Sequence, residues 1–573
     1  MSDFIFSNVN IKEKRMKSVL HTIYKSDFPQ VSYFHGSWGS LGITKNIYNG
    51  YEPYETEEYI SVIIGGPLLT FRSNSFIHDE QSNEGTKAIF QRWRKNENVW
   101  DEDINGPYAI LIINKITSEL LVVTDIMSFV PVYESRNNNS IYLSSHVDMI
   151  AKVTEKSDDF DEVSLIDFIL HGTVTYPYTA YKNIYQIQPA SEHYFNSDNT
   201  TQVKAYWEPY ESKHPMSINH TAKTIRRELE GYIKLITSET TNIAQFISGG
   251  EDSRTLSALL ENIHRDSFIY LDNMNREGKI ARKIASKYNA NFNLSTREKM
   301  HYLHILEDCS DLIGAGAEYH HAHTYGFHKT LNKYDGVFGG LFSDALLKGA
   351  RIKKTKFSKK FIFIPDTKNK NELINEEVNK NAFQNNVINE LIERRNRHLE
   401  FIKKYRNKSA EEWFELWPSS MNRNIANVYA NRRLFKSYEP FLSNEIVKMS
   451  ASIPQKWKLN RSLFQKVAKP YLKKSKWVFH GDGWLPYYSY RVNSIISFFT
   501  WTYRQFGRRL GFVKGNQGPW TEWKEVINSE EWIERVNKYK SNGKKITFIE
   551  NNLNYSIVQE IAHVQVLYQV KKR

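Results

Sequence analysis

Cysteine is almost missing from this chain: its 573 residues include one, Cys309. A single thiol excludes an internal disulfide framework and any metal cluster built from several thiolates. Long hydrophobic runs are missing too. The most apolar stretch, Ile495-Ile-Ser-Phe-Phe-Thr-Trp501, falls far short of the roughly 18 to 20 residues that cross a bilayer, so no membrane span is expected. The first residues, Met1-Ser-Asp-Phe-Ile-Phe6, hold no basic stretch followed by an apolar core. No secretory leader is expected there, and a reducing cytoplasm is the expected location.

What is present suits packed domains: 40% of the residues are hydrophobic and 14% aromatic, too apolar for a disordered chain. At about 150 residues per unit the length allows three or four units, more simply two large ones. The net charge of +13 gathers at Arg351-Ile-Lys-Lys-Thr-Lys356, Arg394-Arg-Asn-Arg397 and Lys403-Lys-Tyr-Arg406. Such clusters serve either an acidic partner or a solvated surface, and the surface is the simpler reading.

The stretch most loaded with chemistry is Ile243-Ala-Gln-Phe-Ile-Ser-Gly-Gly-Glu-Asp-Ser-Arg254, followed by Thr255-Leu-Ser-Ala-Leu-Leu260. An apolar strand, a glycine turn and a helix point backbone N–H groups and a positive helix end at a phosphate. Ser248 and Ser253 offer hydroxyls, Gly249 and Gly250 allow close approach, and Asp252 suits a magnesium ion shared with phosphate oxygens. No lysine follows the last glycine, so this is not a Walker loop. The order Ser-Gly-Gly-x-Asp-Ser resembles the pyrophosphate loop of the asparagine synthetase family. That resemblance implies cleavage of ATP to AMP and pyrophosphate while a carboxylate is activated, with Ile247, Ser248, Gly249, Gly250, Asp252 and Ser253 at the nucleotide.

Residues 1–205 read as short β-branched strands, Glu58-Tyr-Ile-Ser-Val-Ile-Ile-Gly65, Pro107-Tyr-Ala-Ile-Leu-Ile-Ile113, Leu120-Leu-Val-Val-Thr124 and Ser140-Ile-Tyr-Leu-Ser144 among them, with helices near 84–94 and 163–170. A layered α+β domain is expected. Gly106-Pro-Tyr-Ala, Asp125-Ile-Met-Ser-Phe-Val-Pro-Val-Tyr133 and Ile184-Tyr-Gln-Ile-Gln-Pro-Ala190 resemble, in order, the Gly-x-Phe-Ala, Asp-x-x-Gly-x-x-Pro-Leu-Tyr and Ile-x-x-Leu-Pro-Pro-Gly pieces of the family's Ntn-like glutaminase domain. That chemistry needs a cysteine as first residue after Met removal. Here the position is Ser2, so loss of glutamine hydrolysis is expected.

From residue 206 onward strands and helices alternate, which implies an α/β domain with a parallel sheet. In the family the end of the second strand passes the adenine, a place taken by Leu271, and an acidic residue, here Glu277, opens the next helix. Tyr334-Asp-Gly-Val-Phe-Gly-Gly-Leu-Phe-Ser-Asp-Ala-Leu-Leu-Lys-Gly349 resembles the Ser-Gly-x-Gly-x-Asp-Glu loop, with Gly339 for the serine, Gly340 kept, Phe342 for the second glycine, Asp344 kept and Ala345 for the glutamate. Asp344 then either shares magnesium with Asp252 or caps the helix that follows. Gly314-Ala-Gly-Ala-Glu-Tyr-His-His-Ala-His323 corresponds to the family's acceptor pocket, where Glu318 or Tyr319 would orient or deprotonate an amine. His320 and His323 could ligate a metal, though substrate contact is the preferred reading.

Leu434-Phe-Lys-Ser-Tyr-Glu-Pro-Phe-Leu-Ser443 keeps the family's Pro-Phe-Leu but puts Lys436 and Tyr438 where a glutamate and an arginine stand, and Glu439 is expected to point elsewhere. Lys473-Lys-Ser-Lys-Trp-Val-Phe-His-Gly-Asp-Gly483 resembles Arg-x-Lys-x-x-Phe-x-x-Gly and makes Lys476 the cation that neutralises the acyl-adenylate. Residues 352–408, rich in Lys, Asn and Glu, read as an exposed basic helical insertion with a loop near 365–373. The aromatic and basic residues beyond 485 read as a helical part of the synthetase domain. Together the resemblances imply an ATP- and magnesium-dependent amide ligase acting on a carboxylate of a peptide, amino acid or uronic acid, an accessory biosynthetic protein as partner, and no nucleic acid. Relatives of this profile include lasso peptide cyclases, β-lactam synthetases and polysaccharide-cluster homologues.

Overall fold

The computed structural model describes residues 2–25, 28–45, 48, 50–71, 76–77, 82–137, 139–238, 240–369, 383, 385–418, 423–511, 517–541 and 555–571. Two six-stranded antiparallel sheets face each other in the amino-terminal part. One runs in the order Ile184–Gln186, Tyr133–Asn137, Ser140–Ser144, Phe4–Ser7, Gly39–Thr44, Val31–Gly36. The other runs Thr201–Ala205, Ser191–Phe195, Leu120–Thr124, Tyr108–Asn114, Tyr59–Gly65, Tyr54–Glu55.

Side-chain alternation decides what each sheet covers. Ile60, Val62 and Ile64 meet Phe4, Phe6, Leu41 and Leu143 between the sheets, whereas Ile63 turns outward with Ile110 and Ile112 onto Ile89 and Phe90 of helix Glu84–Arg94. On the far face of the first sheet Ile5 packs on Met16 and Leu20 of helix Glu13–Leu20 and on Met149 of helix Val147–Val153. The result is a helix–sheet–sheet–helix stack.

Two turns in this stack hold residues in the left-handed region where the asparagine synthetase pattern carries glycine: Ser128 (φ 53°) and Ala190 (φ 52°). Asp125 explains the first bend, since its carboxylate accepts hydrogen bonds from the amides of Tyr108, Met127, Phe129 and Val130 at 2.8 to 3.2 Å. Burial nevertheless pushes the Asp125 carboxyl up to about 6 against those four donors.

The chain leaves the sandwich past Tyr206, whose hydroxyl donates to Thr124 O, and builds a five-stranded parallel sheet. Its order is Asn291–Thr296, Arg265–Leu271, Ile243–Phe246, Gly336–Phe338, Ser437–Tyr438. Chain order along the sheet reverses between Ile243–Phe246 and Gly336–Phe338. Ligands of open parallel sheets bind beyond the carboxyl ends of the strands at such a switch point. The fold class expected from the sequence is the one observed: a layered α+β half, then an α/β half with helices completing it.

The two halves are joined through buried charge. Asp3, fully buried at the start of strand Phe4–Ser7, accepts from Arg432 Nη2 at 2.7 Å and from Arg433 Nη2 and Nε at 2.7 and 2.8 Å, both arginines lying on helix Ile425–Leu434. Within the segment expected as an exposed basic insertion, the described residues from 385 onward pack inward instead. Helix Asn385–Lys403 buries Val387, Ile388 and Leu391 against helix Glu162–His171, Arg394 forms a two-pronged pair with Asp161 (2.9 and 3.1 Å), and Arg395 reaches Asp167 at 3.2 Å. Arg406 is buried, with its Nη2 donating to Ala451 O at 2.8 Å. Arg394, Arg395 and Arg406 are therefore structural members of the basic clusters. Of the loop expected near 365–373, residues 370–373 lie outside the described residues. Helix Tyr490–Arg509 sets Phe498 and Trp501 against Phe363 and bonds to residues 481–488 through Asn493, Thr500 and Arg504, while Ile495, Phe499, Tyr503 and Phe506 stay exposed. No helix among the described residues is long and apolar enough to cross a membrane.

Candidate nucleotide site

At the switch point the turn after Ile243–Phe246 is drawn inward by its own side chains. Ser248 N donates to Ser253 Oγ at 3.1 Å, Gly249 N to Glu277 Oε1 at 2.6 Å, and Gly250 N to Ser248 Oγ at 3.1 Å. Three consecutive amides thus face oxygen acceptors, the same kind of partner that phosphate oxygens offer. Gly250 opens helix Glu251–Leu259 with no side-chain cap. Ile247 and Leu271, expected at the nucleotide, are core residues at adjacent strand ends, 3% and 0% exposed, packed with Ala281 and Ile284.

The neighbouring turn follows Gly336–Phe338 and brings Gly339, Gly340 and Asp344 alongside. Phe342, at φ 65°, is likewise left-handed at a position where the resembled pattern carries glycine. Asp344 does not cap helix Ser343–Leu347, which has no side-chain cap, but sits in its first turn. Asp252 and Asp344 do converge on one point, and the cation there is Lys348. Its ammonium lies 2.5 Å from Asp344 Oδ1, 3.2 Å from Asp252 Oδ1 and 3.8 Å from Glu251 Oε1, with Nζ 4.6 Å from the centre of the Phe464 ring. Burial works against the charged amine, yet the three carboxylates outweigh it and raise its proton affinity above that of an ordinary lysine. Lys348 in turn holds the Asp344 carboxyl below the usual carboxylate range. With that ammonium seated between them, Asp252 and Asp344 do not fit a divalent ion of their own, which is where the magnesium expectation and the structure part.

Glu439 differs from its sequence reading: it points into the site. Its Oε2 accepts from Leu341 N at 2.8 Å, and its carboxyl fills the space beside Gly339 that a side chain there would need. The family's serine is therefore incompatible with this Glu439 position. Burial pushes the Glu439 carboxyl up to about 8.

A third segment closes the site from the carboxyl-terminal side. Arg254, fully buried, donates to Gly249 O at 3.2 Å, to Val478 O at 2.7 Å and to Phe479 O at 3.1 Å, clamping residues 478–479 onto the glycine turn. Gly481 lies against the Glu277 carboxylate. Lys476 rides on this segment but is exposed, its Nζ 5.6 Å from the centre of the Trp477 ring. Beside the segment opens a cavity of about 760 Å³ lined by Arg276, Lys283, Phe479, Tyr503 and Arg504 among others.

Glu318 and Tyr319 lie elsewhere, where the two halves meet. Tyr319 is fully buried and its amide donates to Gln565 Oε1 at 3.2 Å, so its phenol is a core group and not an accessible base. Glu318, 1% exposed, lies against Gly172 of the amino-terminal half and 3.5 Å from Arg423 Nε.

Residues 74–207 match the family model described as a glutamine amidotransferase domain. The chain is 22% identical over 358 residues to "Putative asparagine synthetase [glutamine-hydrolyzing] 2" of Methanocaldococcus jannaschii, covering 58% of this chain and 69% of that protein. It is 20% identical over 245 residues to "Asparagine synthetase [glutamine-hydrolyzing] 1" of Bacillus subtilis, covering 40% of this chain and 38% of that protein. These similarities are distant and point to asparagine synthetase-like amidotransferases as relatives of this chain. The match spans well under half of the Bacillus protein's length. Among solved structures, a Bacillus subtilis glutamine phosphoribosylpyrophosphate amidotransferase aligns with 51% of this chain and 65% of its own at 9% identity, with a TM-score of 0.25. An NH3-dependent NAD synthetase from Campylobacter jejuni aligns with 35% of this chain and 92% of its own at 14% identity and a TM-score of 0.17. At these scores neither likeness carries weight.

Sequence reasoning missed Lys348, Arg254 and the direction of Glu439. A spacing signal existed for Lys348 alone, since it lies four residues after Asp344 on one helix face.

Proposed function

We propose that this protein is an ATP-dependent amide-bond-forming ligase that adenylates a substrate carboxylate and releases pyrophosphate. The carrying observation is the pair of glycine turns at the sheet's switch point, with three amides turned to oxygen acceptors and Asp252, Asp344 and Lys348 grouped beside them. In this reading ATP phosphates take the acceptor positions at Ser248, Gly249 and Gly250, and the Lys348 ammonium neutralises charge on the departing pyrophosphate. Magnesium belongs with ATP as part of the substrate. The carboxylate of a peptide or small molecule enters through the cavity lined by Arg276, Lys283 and Arg504, where Phe479 and Tyr503 supply flat apolar contacts. Lys476, on the segment clamped by Arg254, turns inward to meet the acyl-adenylate once substrate is bound.

The amine in this reading does not come from glutamine within the chain. Cys309 is fully buried and burial raises its thiol far above the reactive range, while Ser2 is 4% exposed with its carbonyl accepting from Arg432 at 3.1 Å. The amine is then free ammonia or a group on the substrate itself, as in macrolactam closure.

A second reading, a nucleotide-binding protein without turnover, is favoured by Lys348 holding the point between Asp252 and Asp344. AMP and pyrophosphate release by purified protein with ATP and magnesium, across peptides, amino acids and uronic acids, separates the two. Release that depends on one substrate class and disappears in Asp252→Ala supports the ligase. ATP binding without release across the panel supports the second reading.

A further inference from the structure

Glu318, His320 and His321 stand where the two halves meet, apart from the phosphate turns. Glu318 is 1% and His320 5% exposed, and the His321 side chain 12%. Buried polar groups are ordinarily hydrogen-bonded, yet neither carboxylate oxygen of Glu318 has a hydrogen-bond partner, nor has Nδ1 of His320 or of His321. One ligand atom from each of the three residues lies within 4.8 Å of the others.

We propose that Glu318, His320 and His321 bind a divalent transition cation, with zinc the ion their chemistry suits best. Two imidazole nitrogens and one carboxylate oxygen form a borderline donor set, poorly matched to magnesium or calcium and well matched to zinc. Three protein ligands leave a fourth tetrahedral position for water or a donor atom of a small molecule. The short 3-10 turn Tyr319–His321 places the two imidazoles side by side, ring centres 4.6 Å apart, and Glu318 immediately precedes it. Gly172, at φ 75°, leaves the Glu318 carboxylate the room that a side chain would take.

The arrangement has an outer layer as well. Arg423 stands 3.5 Å from Glu318 Oε2 without a hydrogen bond to it, and donates to His171 O instead at 3.2 and 3.4 Å. Trp520 covers all three imidazoles of the run, its ring 5.7 Å from His320, 5.2 Å from His321 and 4.5 Å from His323. Such surrounding groups orient ligands and restrict water at metal centres. The sequence suggested His320 with His323; the geometry points to His320 with His321 and a carboxylate. The rival account of the same residues is a purely polar cluster, with Glu318 Oε2 3.5 Å from Arg423 Nε and 3.3 Å from His321 Nε2.

The test uses the full chain, freed of metal by a chelator and titrated with zinc against a competing chromophoric chelator, then with cobalt. The inference stands independently of the ATP reading, because the readout is binding alone. Expected are one zinc per chain, cobalt absorption of tetrahedral strength in the visible range, and a melting temperature that rises with zinc. His321→Ala, the least buried ligand, should lower zinc affinity by about 100-fold or more, at least as much as losing an outer-layer partner at a metal site. Glu318→Gln should do the same, with circular dichroism of the metal-free variants showing that they fold. Zinc binding absent from the parent, or equally tight in His321→Ala, overturns the proposal. So does a chain that binds no zinc but melts lower in Glu318→Gln, which is the polar-cluster account.

Discussion

Lys348→Met removes the one cation seated between Asp252 and Asp344. Its side chain is 6% exposed, whereas those of Asp252 and Asp344 are 24% and 65% exposed. Breaking a fully buried pair from one side costs about 3 to 5 kcal/mol. Solvent reaches both carboxylates here, so a loss of about 1 to 3 kcal/mol in unfolding free energy is expected. The effect on nucleotide should be as large. A phosphate charge about 5 Å from the ammonium gains about 3 kcal/mol at an effective dielectric of about 20, and partial exposure brings this to about 2 kcal/mol. That corresponds to roughly 30-fold weaker binding. Calorimetric titration of a non-hydrolysable ATP analogue in EDTA measures it directly. Magnesium should then restore much of the lost affinity in the variant, because Asp252 and Asp344 become available to a divalent ion. Unchanged or tighter binding by Lys348→Met in EDTA would refute the assignment of Lys348 as the resident cation.

Three other outcomes follow from buried groups. Asp3→Asn leaves Arg432 and Arg433 buried without their carboxylate, so urea unfolding should show a loss of about 3 to 5 kcal/mol. Ser128→Gly removes a left-handed serine whose buried hydroxyl has no hydrogen-bond partner, and should raise stability by about 1 to 2 kcal/mol in the same assay. Glu439 has its carboxyl raised to about 8 from 4.5, so the folded state holds its proton longer than the unfolded state does. Its contribution is therefore intact below about pH 4.5 and is lost as pH rises through about 8. Melting temperatures of Glu439→Gln should lack that decline, and an identical decline in the variant would exclude Glu439 as its source.

The sandwich was readable because its signals are local. Leu120–Thr124 and Ser140–Ser144 are short apolar strands bounded by turn residues, and helix Glu84–Arg94 follows a helical period. The glycine turn at 248–253 was readable for the same reason. Ser128, Ala190 and Phe342 take the left-handed backbone at positions where the resembled motifs carry glycine, so the order of the motifs stays legible although these residues differ. What local pattern does not carry is direction across the fold. Glu439 turns toward Gly339 because Ser437–Tyr438 pairs with Gly336–Phe338, a contact about a hundred residues apart in sequence. Tyr319 read as a site residue from its polar neighbours, yet packing put it in the core beside Cys309. Lys348 meets Glu251 and Asp252 from about a hundred residues away, a convergence that no local pattern carries.

The central claim is that a carboxylate is activated by adenylation at the two glycine turns. Exchange of radiolabelled pyrophosphate into ATP tests it most directly, since exchange requires a reversible acyl-adenylate and needs no amine. The account predicts exchange only when the right carboxylate is present, and its loss in Asp252→Ala and Lys476→Ala. Exchange without any carboxylate, or ADP and phosphate as the products of ATP cleavage, would contradict it.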